Sequence, residues 1–441
     1  MSNENSTATS ATSIGTKLVA VIALTIFLTF LSFPIILLIH EREKIREEAI
    51  NEVSSKWGSQ QTIAGPILSV PYTEQNVEPN SNIIKYAHFL PASLNIEGKI
   101  DPQLRRRGIY EVVVYNAKLK VNGEFSLPDF TGLAMVDKNI FWDDAFISLG
   151  ISDLSGIQEP IKVQWNGQES LFVPGIRNSD NYNSGISAKA VVNRLAPSSR
   201  YPFSFDLNLN GSRLLNFIPA GKETKVKLDS GWASPSFNGA FLPDNHNLND
   251  QGFAVDWKIL DLNRNLPQSW LGEAKEKIND SAFGVELLIP VDQYQKSMRT
   301  IKYAILLIGL TFLVFFFVEA FNKRRIHPVQ YLLVGAALCI FYLLLLSISE
   351  HLNFDWAYII SGLATILLIT IYSKHIFKNI KLSLLQGLIL ALLYTFVYII
   401  IQSEDYALLM GSIGIFVVLA AVMFISRKIN WYGAGHKSNG S

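Results

Sequence analysis

Val329–Ser349 reads VQYLLVGAALCIFYLLLLSIS, an unbroken run without a charged residue, and its reading decides the fold. At about 1.5 Å of rise per residue, such a helix crosses a hydrocarbon core of roughly 30 Å. The same signal recurs on either side, at Tyr303–Phe321, Trp356–Ser373, Leu382–Ser403 and Tyr406–Ser426. A sixth run, Leu18–Ile39, stands near the N-terminus. It is too long for the apolar region of a cleaved signal peptide, commonly about 7–15 residues, and it passes straight into the charged stretch HEREKIREEAINEVSSKW. An uncleaved anchor is therefore expected, with its helix continuing as an amphipathic stalk to Lys56, where Gly58 ends it.

The loops between the five later runs segregate by charge. Lys323, Arg324 and Arg325 lie in one, Lys374, Lys378 and Lys381 in another, and Arg427 and Lys428 follow the last run, whereas SEHLNFD and SED hold no Lys or Arg. Basic loops stay cytoplasmic by the positive-inside rule. Both termini are then cytoplasmic and the segment between the first two spans faces outward. Arg42, Lys44 and Arg46 on the outer flank of the first span disagree locally, against a lone Lys17 inside. The rule weakens beside a long translocated domain, and three consistent loops outweigh one flank.

Composition agrees, since 49% of the 441 residues are hydrophobic and the mean hydropathy is +0.23, too apolar for an ordinary soluble enzyme. A net charge of +1 without a basic stripe excludes a nucleic-acid partner. The single cysteine, Cys339, lies inside a span, so no intrachain disulfide forms.

The outer segment alternates apolar and polar residues in IIKYAHFLPASLNIEGKI, GIYEVVVYNAKLKVNGEF, PFSFDLNLNG, FAVDWKILDLNRNL and FGVELLIPV, with a turn expected at Asn122-Gly123. Two similar lobes are one possible arrangement, though no clear repeat is visible. The expected fold class is an α+β membrane protein: six transmembrane helices with a large, mainly antiparallel β-rich periplasmic domain inserted between helices 1 and 2. Its organisation is a disordered cytoplasmic tail (1–17), transmembrane helix 1 (18–39), the β-rich domain with its helical stalk (40–302), a five-helix transmembrane bundle (303–426) and a cytoplasmic tail (427–441). EREKIREEAINEV places Ile45, Ile50 and Val53 on one face, and VDQYQKSMRTIKYAILL runs unbroken into the second span. Two continuous, paired helices are expected to fix the outer domain to the membrane.

No P-loop, dinucleotide fingerprint, zincin, nucleophile-elbow or paired-cysteine motif is present, and the seven histidines are scattered, so no enzyme, cofactor or metal is expected. Glu350, His351 and Asp355 in one outer loop, with Glu404 and Asp405 in the other, form the candidate site. Carboxylates and an imidazole at a bundle mouth could bind a cation or move protons. The plainer account is that hairpin loops in water are polar. Glu319, in the last turn of its span, is explained by an i, i+4 pair with Lys323. Small residues at Ala357, Ser361, Thr365, Gly387 and Ala391 indicate tight helix packing, and Tyr331, Trp356, Tyr406 and Trp431 read as interfacial anchors.

Three stretches have a composition that periodicity does not explain: KWGSQQTIAGPILSVPY, FNGAFLPDNHNLNDQGFAVDWKILDLNRNLPQSW and RRIHPVQYLLVGAALCIFYLLLLSISEH. Each resembles the corresponding part of the CreD family of bacterial inner-membrane, cell-envelope integrity proteins, as do HFLP, RRRGIYEV and PVDQYQKSMRTIKY. The resemblance runs in order from about residue 18 to Trp431. It implies a multi-pass protein of the Gram-negative inner membrane, non-enzymatic and tied to envelope stress, with no catalytic residues to carry over. The expected function is an envelope component whose periplasmic domain binds a periplasmic protein or cell-wall component, beside the lipid bilayer itself. A transporter or channel with a periplasmic gating domain is the alternative.

Overall fold

The computed structural model describes residues 14–75, 82–133, 139–177, 180–193, 200–274, 278–289, 293–322, 326–403 and 406–427. Residues 1–13, the 323–325 loop, Glu404, Asp405 and Trp431 lie outside the described residues, and the part of the expected disordered tail that is described, residues 14–17, is helical. The fold is α+β, and the chain divides into two compact units, Met1–Ile45 with Val291–Ser441, and Arg46–Pro290.

The first unit is helical. Its helices are α1 (Ile14–Leu31), the beginning of α2 (Phe33–Trp57), α3 (Gln293–Lys302), α4 (Ala304–Asn322), α5 (Pro328–Ser349), α6 (Phe354–Phe377), α7 (Ile380–Gln402) and α8 (Ala407–Ser426). Six helical stretches among the described residues are long and apolar enough to cross a membrane, α1 and α2 together making the first.

That first stretch is not one helix. Pro34 has no N–H to donate to the carbonyl four residues back, and the chain turns at Ser32, whose N–H bonds to Thr29 and whose carbonyl receives Ile35. The β-rich segment consequently follows α2, the chain's second helix, rather than lying between helices 1 and 2 as the single-anchor expectation had it. The far link between the β-rich segment and the later spans is also interrupted. It breaks at Tyr303, between α3 and α4, so the expected unbroken helix into the second span is not present. The first span does pack beside the second: α1 lies against α4 and α5. Leu28 sits over Gly335, where an added Cβ would meet its Cδ1 at 2.1 Å.

The second unit contains the strands β1 (Gln61–Gln75), β2 (Asn82–Phe89), β3 (Ser93–Arg107), β4 (Tyr110–Ser126), β5 (Asn139–Ile140) and β6 (Phe146–Ile151). There follow β7 (Lys162–Trp165), β8 (Gln168–Leu171), β9 (Val173–Pro174), β10 (Gly185–Lys189), β11 (Arg200–Ser212) and β12 (Leu214–Ile218). The last six are β13 (Glu223–Ser230), β14 (Pro235–Gly239), β15 (Asn245–Asn249), β16 (Gly252–Leu260), β17 (Ser269–Leu271) and β18 (Phe283–Leu287). One sheet has the order β14-β18-β12-β1-β6-β10-β9, with β2 and β5 also on β1 and β17 on β2; the other has the order β15-β16-β13-β3-β4-β11-β7-β8. Both sheets are mixed, because β1 runs parallel to β12 and β3 parallel to β13.

Alternation explains the layering. In β13 every second residue, from Thr224 to Ser230, is buried, and β11 repeats the pattern from Tyr201 to Leu209. The inward residues of both sheets share one apolar cluster, in which Trp257, Tyr115, Phe125 and Phe217 are fully buried. Each such side chain contributes about 1.5–3 kcal/mol by leaving water. One core serves the domain, so the two-lobe arrangement is not adopted.

The Asn122-Gly123 turn is a further correction. Both residues sit inside β4, opposite Asn95 and Leu94 on one side and Ser204 and Phe203 on the other. Gly123 is there because a Cβ would fall 2.1 Å from the Ser93 carbonyl oxygen and 2.8 Å from the Phe203 ring. The real turn is Gly108-Ile109, with Gly108 at φ +61° in the first of the two loop positions.

The second half of α2 belongs to this unit. Ile50, with Val53 and Trp57, buries against Val112 and Val114 of β4, while Val113 and Tyr115 face the main core. Trp57 Nε1 donates to the Tyr115 carbonyl at 3.1 Å. Ile45 remains 38% exposed and lies outside that contact.

Candidate functional site

Among the described residues, the two carboxylates of the candidate site, Glu350 and Asp355, have different partners. Glu350, at the end of α5, lies 3.6 Å from Arg42 Nε of α2 and accepts from the Tyr294 hydroxyl of α3 at 3.4 Å. Asp355, in the first turn of α6, accepts from the Tyr398 hydroxyl at 3.0 Å and from Gln402 Nε2 at 2.6 Å, both on α7. Lys296 of α3 completes this second group, donating to Gln402 Oε1 at 3.0 Å and lying over the Phe354 ring. His351 is exposed. Glu404 and Asp405 lie outside the described residues, so the expected five-residue cluster is represented by two separately satisfied carboxylates and a solvated imidazole. Among the described residues no set of three or more His, Cys, Asp or Glu side chains is placed to hold a metal ion. The arrangement ties Arg42 within α2 to the ends of α3 and α5 by an ion pair and a hydrogen bond, and the start of α3 to the ends of α6 and α7 by hydrogen bonds.

Deeper in the spans the polar groups among the described residues are uncharged, except for Glu319. It is buried and accepts from the Tyr331 hydroxyl at 3.2 Å, a partner on the next helix that sequence spacing did not suggest. Its expected partner Lys323 lies outside the described residues. Tyr331 is correspondingly a buried residue packed on Phe312 and Phe315 rather than an interfacial anchor, whereas Trp356 and Tyr406 are exposed as anchors should be. Tyr358 donates to the Tyr394 carbonyl at 2.8 Å. The hydroxyls of Tyr342 and Tyr394 and both ends of the Gln386 amide are buried without a hydrogen-bond partner among the described residues. Small residues let these helices close: Ala357, Ser361 and Thr365 are buried, and Gly387 meets Thr370.

A second polar constellation, in the β domain, was invisible to motif searching. His88 of β2 stands opposite Ser69 of β1 on one side and Trp270 of β17 on the other. Its Nδ1 lies 2.9 Å from Ser69 Oγ and 3.0 Å from Asn181 Nδ2, and its Nε2 lies 3.2 Å from Asp180 Oδ2. The Asp180 carboxylate accepts from Nε2, while Nδ1 faces the Ser69 hydroxyl and the Asn181 amide nitrogen. The three residue types are those of a nucleophile, base and orienting acid. Ser69 and His88 are both fully buried, however, and no substrate carbonyl could reach the Ser69 oxygen. The chain acts as an internal pin joining β1, β2 and the 180–181 loop. Sequence offered no signal for it, because Ser69 and Asp180 are brought to His88 by strand register and loop return.

The domain's entry point is held by Asp153. Its carboxylate accepts from the Ser59 N–H at 2.8 Å and from the Ser155 N–H and hydroxyl at 3.0 and 2.7 Å. Partial burial works to raise its pKa, but these donors outweigh it and hold the carboxyl down at about 2.

Known proteins were compared with this chain. A family model described as Inner membrane protein CreD matches residues 13–432. The Inner membrane protein CreD of Escherichia coli (strain K12) is 33% identical over 412 residues, covering 91% of each chain. Solved structures with partial similarity include an M1 zinc metallopeptidase mutant from Deinococcus radiodurans bound to a Tyr-Ser-Ala substrate, at 10% identity over 44% of this chain and 42% of that one, with a TM-score of 0.20. A further crystal structure of that peptidase aligns at 10% identity over 38% of each chain, with a TM-score of 0.18. Superpositions this poor carry no argument. A family match across nearly the whole length, with a relative one-third identical and colinear, places the chain in the CreD family of inner-membrane proteins.

Proposed function

We propose that the protein is a non-enzymatic component of the cell envelope, whose β domain stands on the periplasmic side of the inner membrane and binds an extended polypeptide segment of an envelope partner. The observation that carries this reading is β15. Among the described residues it ends the order of its sheet, and all five of its residues, Asn245-His246-Asn247-Leu248-Asn249, are exposed. Edge strands are usually blunted by Lys, Pro or inward charges. This strand has none of these, and Leu248 on it and Leu242 beside it are 50% and 77% exposed. Unpaired backbone groups flanked by apolar side chains suit strand addition by a partner. The outward placement rests on the basic loops, Lys374, Lys378 and Lys381 against SEHLNFD, with both termini cytoplasmic.

A photo-crosslinking residue at position 248 in intact cells is expected to trap a polypeptide, and Leu248→Lys, which charges the edge, is expected to reduce trapping at a neighbouring position at least tenfold. Adducts only with cell-wall glycan would replace the polypeptide reading by a cell-wall one. No adduct in repeated trials would end it.

A second reading is a transporter or channel with the β domain as a gate. It is favoured by the buried, unpartnered Tyr342, Tyr394 and Gln386 groups, which are costly in hydrocarbon unless water or a solute meets them. It is opposed by the separate partners of Glu350, which meets Arg42, and Asp355, which accepts from Tyr398 and Gln402. Solute or proton flux in proteoliposomes that Gln386→Leu abolishes would favour this reading over the first.

A further inference from the structure

The tip of the β3–β4 hairpin combines two features that the polypeptide-binding reading does not use. Arg105, Arg106 and Arg107 occupy the last three positions of β3, and the tip also exposes Leu104 and Ile109, at 50% and 46%. Gly108 makes the tight turn, and Ile109 follows it at the apex. Beside the arginines lies a concavity of about 350 Å³, lined by them together with Glu52, Val53, Lys56 and Trp57 of α2.

Charge in this cluster is only partly balanced. Arg106 is paired with Glu111 at 2.6 Å, and Arg107 and Lys56 share Glu52 at 3.1 and 2.8 Å. Arg105 is held differently: its guanidinium lies 4.8 Å from the centroid of the Trp57 ring and donates to the neutral Gln103 side chain at 3.1 Å. Four cations therefore face two carboxylates, and the remaining guanidinium is oriented by a ring and an amide. A planar, stacked guanidinium is pre-arranged to take an anionic oxygen pair.

Exposed aliphatic residues at the apex with arginines directly behind them form the pattern that meets a lipid surface, where apolar side chains enter the headgroup boundary and cations meet phosphate. We infer that the β3–β4 hairpin tip binds anionic phospholipid, with Ile109 and Leu104 entering the interface and Arg105, beside Trp57, taking a headgroup phosphate. Charge complementarity selects the occupant, since a polypeptide partner would use the apolar apex without needing three adjacent arginines. A surface of this kind also gains strongly from each basic residue, roughly fivefold in binding per arginine near an anionic membrane.

The test uses the full chain. Ile109→Cys, in a Cys339→Ala background, carries an environment-sensitive fluorophore, and the protein is reconstituted into vesicles of phosphatidylcholine alone or of phosphatidylcholine with an equal part of phosphatidylglycerol. The expected result is a blue-shifted emission in the anionic vesicles that reverses at high salt and is lost in Arg105→Gln/Arg106→Gln/Arg107→Gln. Should that variant fold poorly, the salt response of the chain with its arginines intact decides the matter. Equal shifts in both vesicles, insensitive to salt, would mean apolar insertion without headgroup recognition and would overturn the inference. So would unshifted emission in both. Reversal by inorganic phosphate at constant ionic strength would assign the site to a soluble phosphate ligand instead, overturning the lipid source. None of these readouts depends on β15, so failure here leaves the strand-pairing reading intact.

Discussion

His88 illustrates how much one side chain can hold in this domain. Its ring meets the Ser69 hydroxyl, the Asn181 amide nitrogen and the Asp180 carboxylate at once, beside the Trp270 ring. His88→Ala is expected to leave the buried Ser69 hydroxyl and Asn181 amide without this acceptor beside a cavity, lowering stability by about 3–5 kcal/mol, since an orphaned buried polar group alone costs about 1–3 kcal/mol. Thermal unfolding of the purified protein in detergent measures it, and a loss below about 1 kcal/mol would contradict the pin. Asp153 is sensitive to acid instead. Its folded pKa of about 2 lies below the ordinary 3.8, so its contribution is full above about pH 4 and vanishes as pH falls through about 2. Asp153→Ala is expected to lower the unfolding midpoint at neutral pH, by an amount typical of a lost cap, about 1 kcal/mol. The gap between variant and parent should close between pH 4 and 2, and a gap unchanged across that window would count against the hydrogen bonds described.

Among elements, α2 carries the clearest dependence on packing. Its apolar face was legible from the spacing of Ile50 and Val53, but its seat on Val112 and Val114 was not, because β4 is buried there on both faces. Ile50→Asn is expected to cost about 2–4 kcal/mol, from the lost methyl groups and an amide set against valines. Faster hydrogen exchange at Trp57 and along the second half of α2, with the β core unchanged, is the expected signature. Uniform protection would show that the helix does not rely on this contact. The break at Ser32 was also readable in principle, since Pro34 stands inside an otherwise continuous apolar run. The break at Tyr303 had no such signal; no Gly or Pro marks it.

At the scale of the whole molecule, the topology makes a binary prediction. Reporter fusions after Ser155 and after Lys378 should fall on opposite sides of the membrane, the first outside and the second in the cytoplasm. Matching signals from both would reject the assignment. The prediction rests on charge segregation between loops, which acts during insertion and leaves no trace in the packing of the spans.

The sequence by itself determined the spans and the α+β class, because transfer into hydrocarbon and strand alternation depend on local runs of residue types, and it pointed to the family through stretches such as KWGSQQTIAGPILSVPY that periodicity does not explain. Span ends agree with the observed helices to within a few residues, as at Pro328–Ser349 and Ala407–Ser426. The tertiary structure alone decided what long-range register brings together. It moved Asn122-Gly123 from a turn to mid-strand, because Gly123 lets Ser93 and Phe203 approach the backbone. It gave Glu319 a tyrosine on the next helix, divided Glu350 and Asp355 between different partners, and assembled Ser69, His88 and Asp180 from three separate segments. Those contacts join residues far apart along the chain, and no local pattern records them.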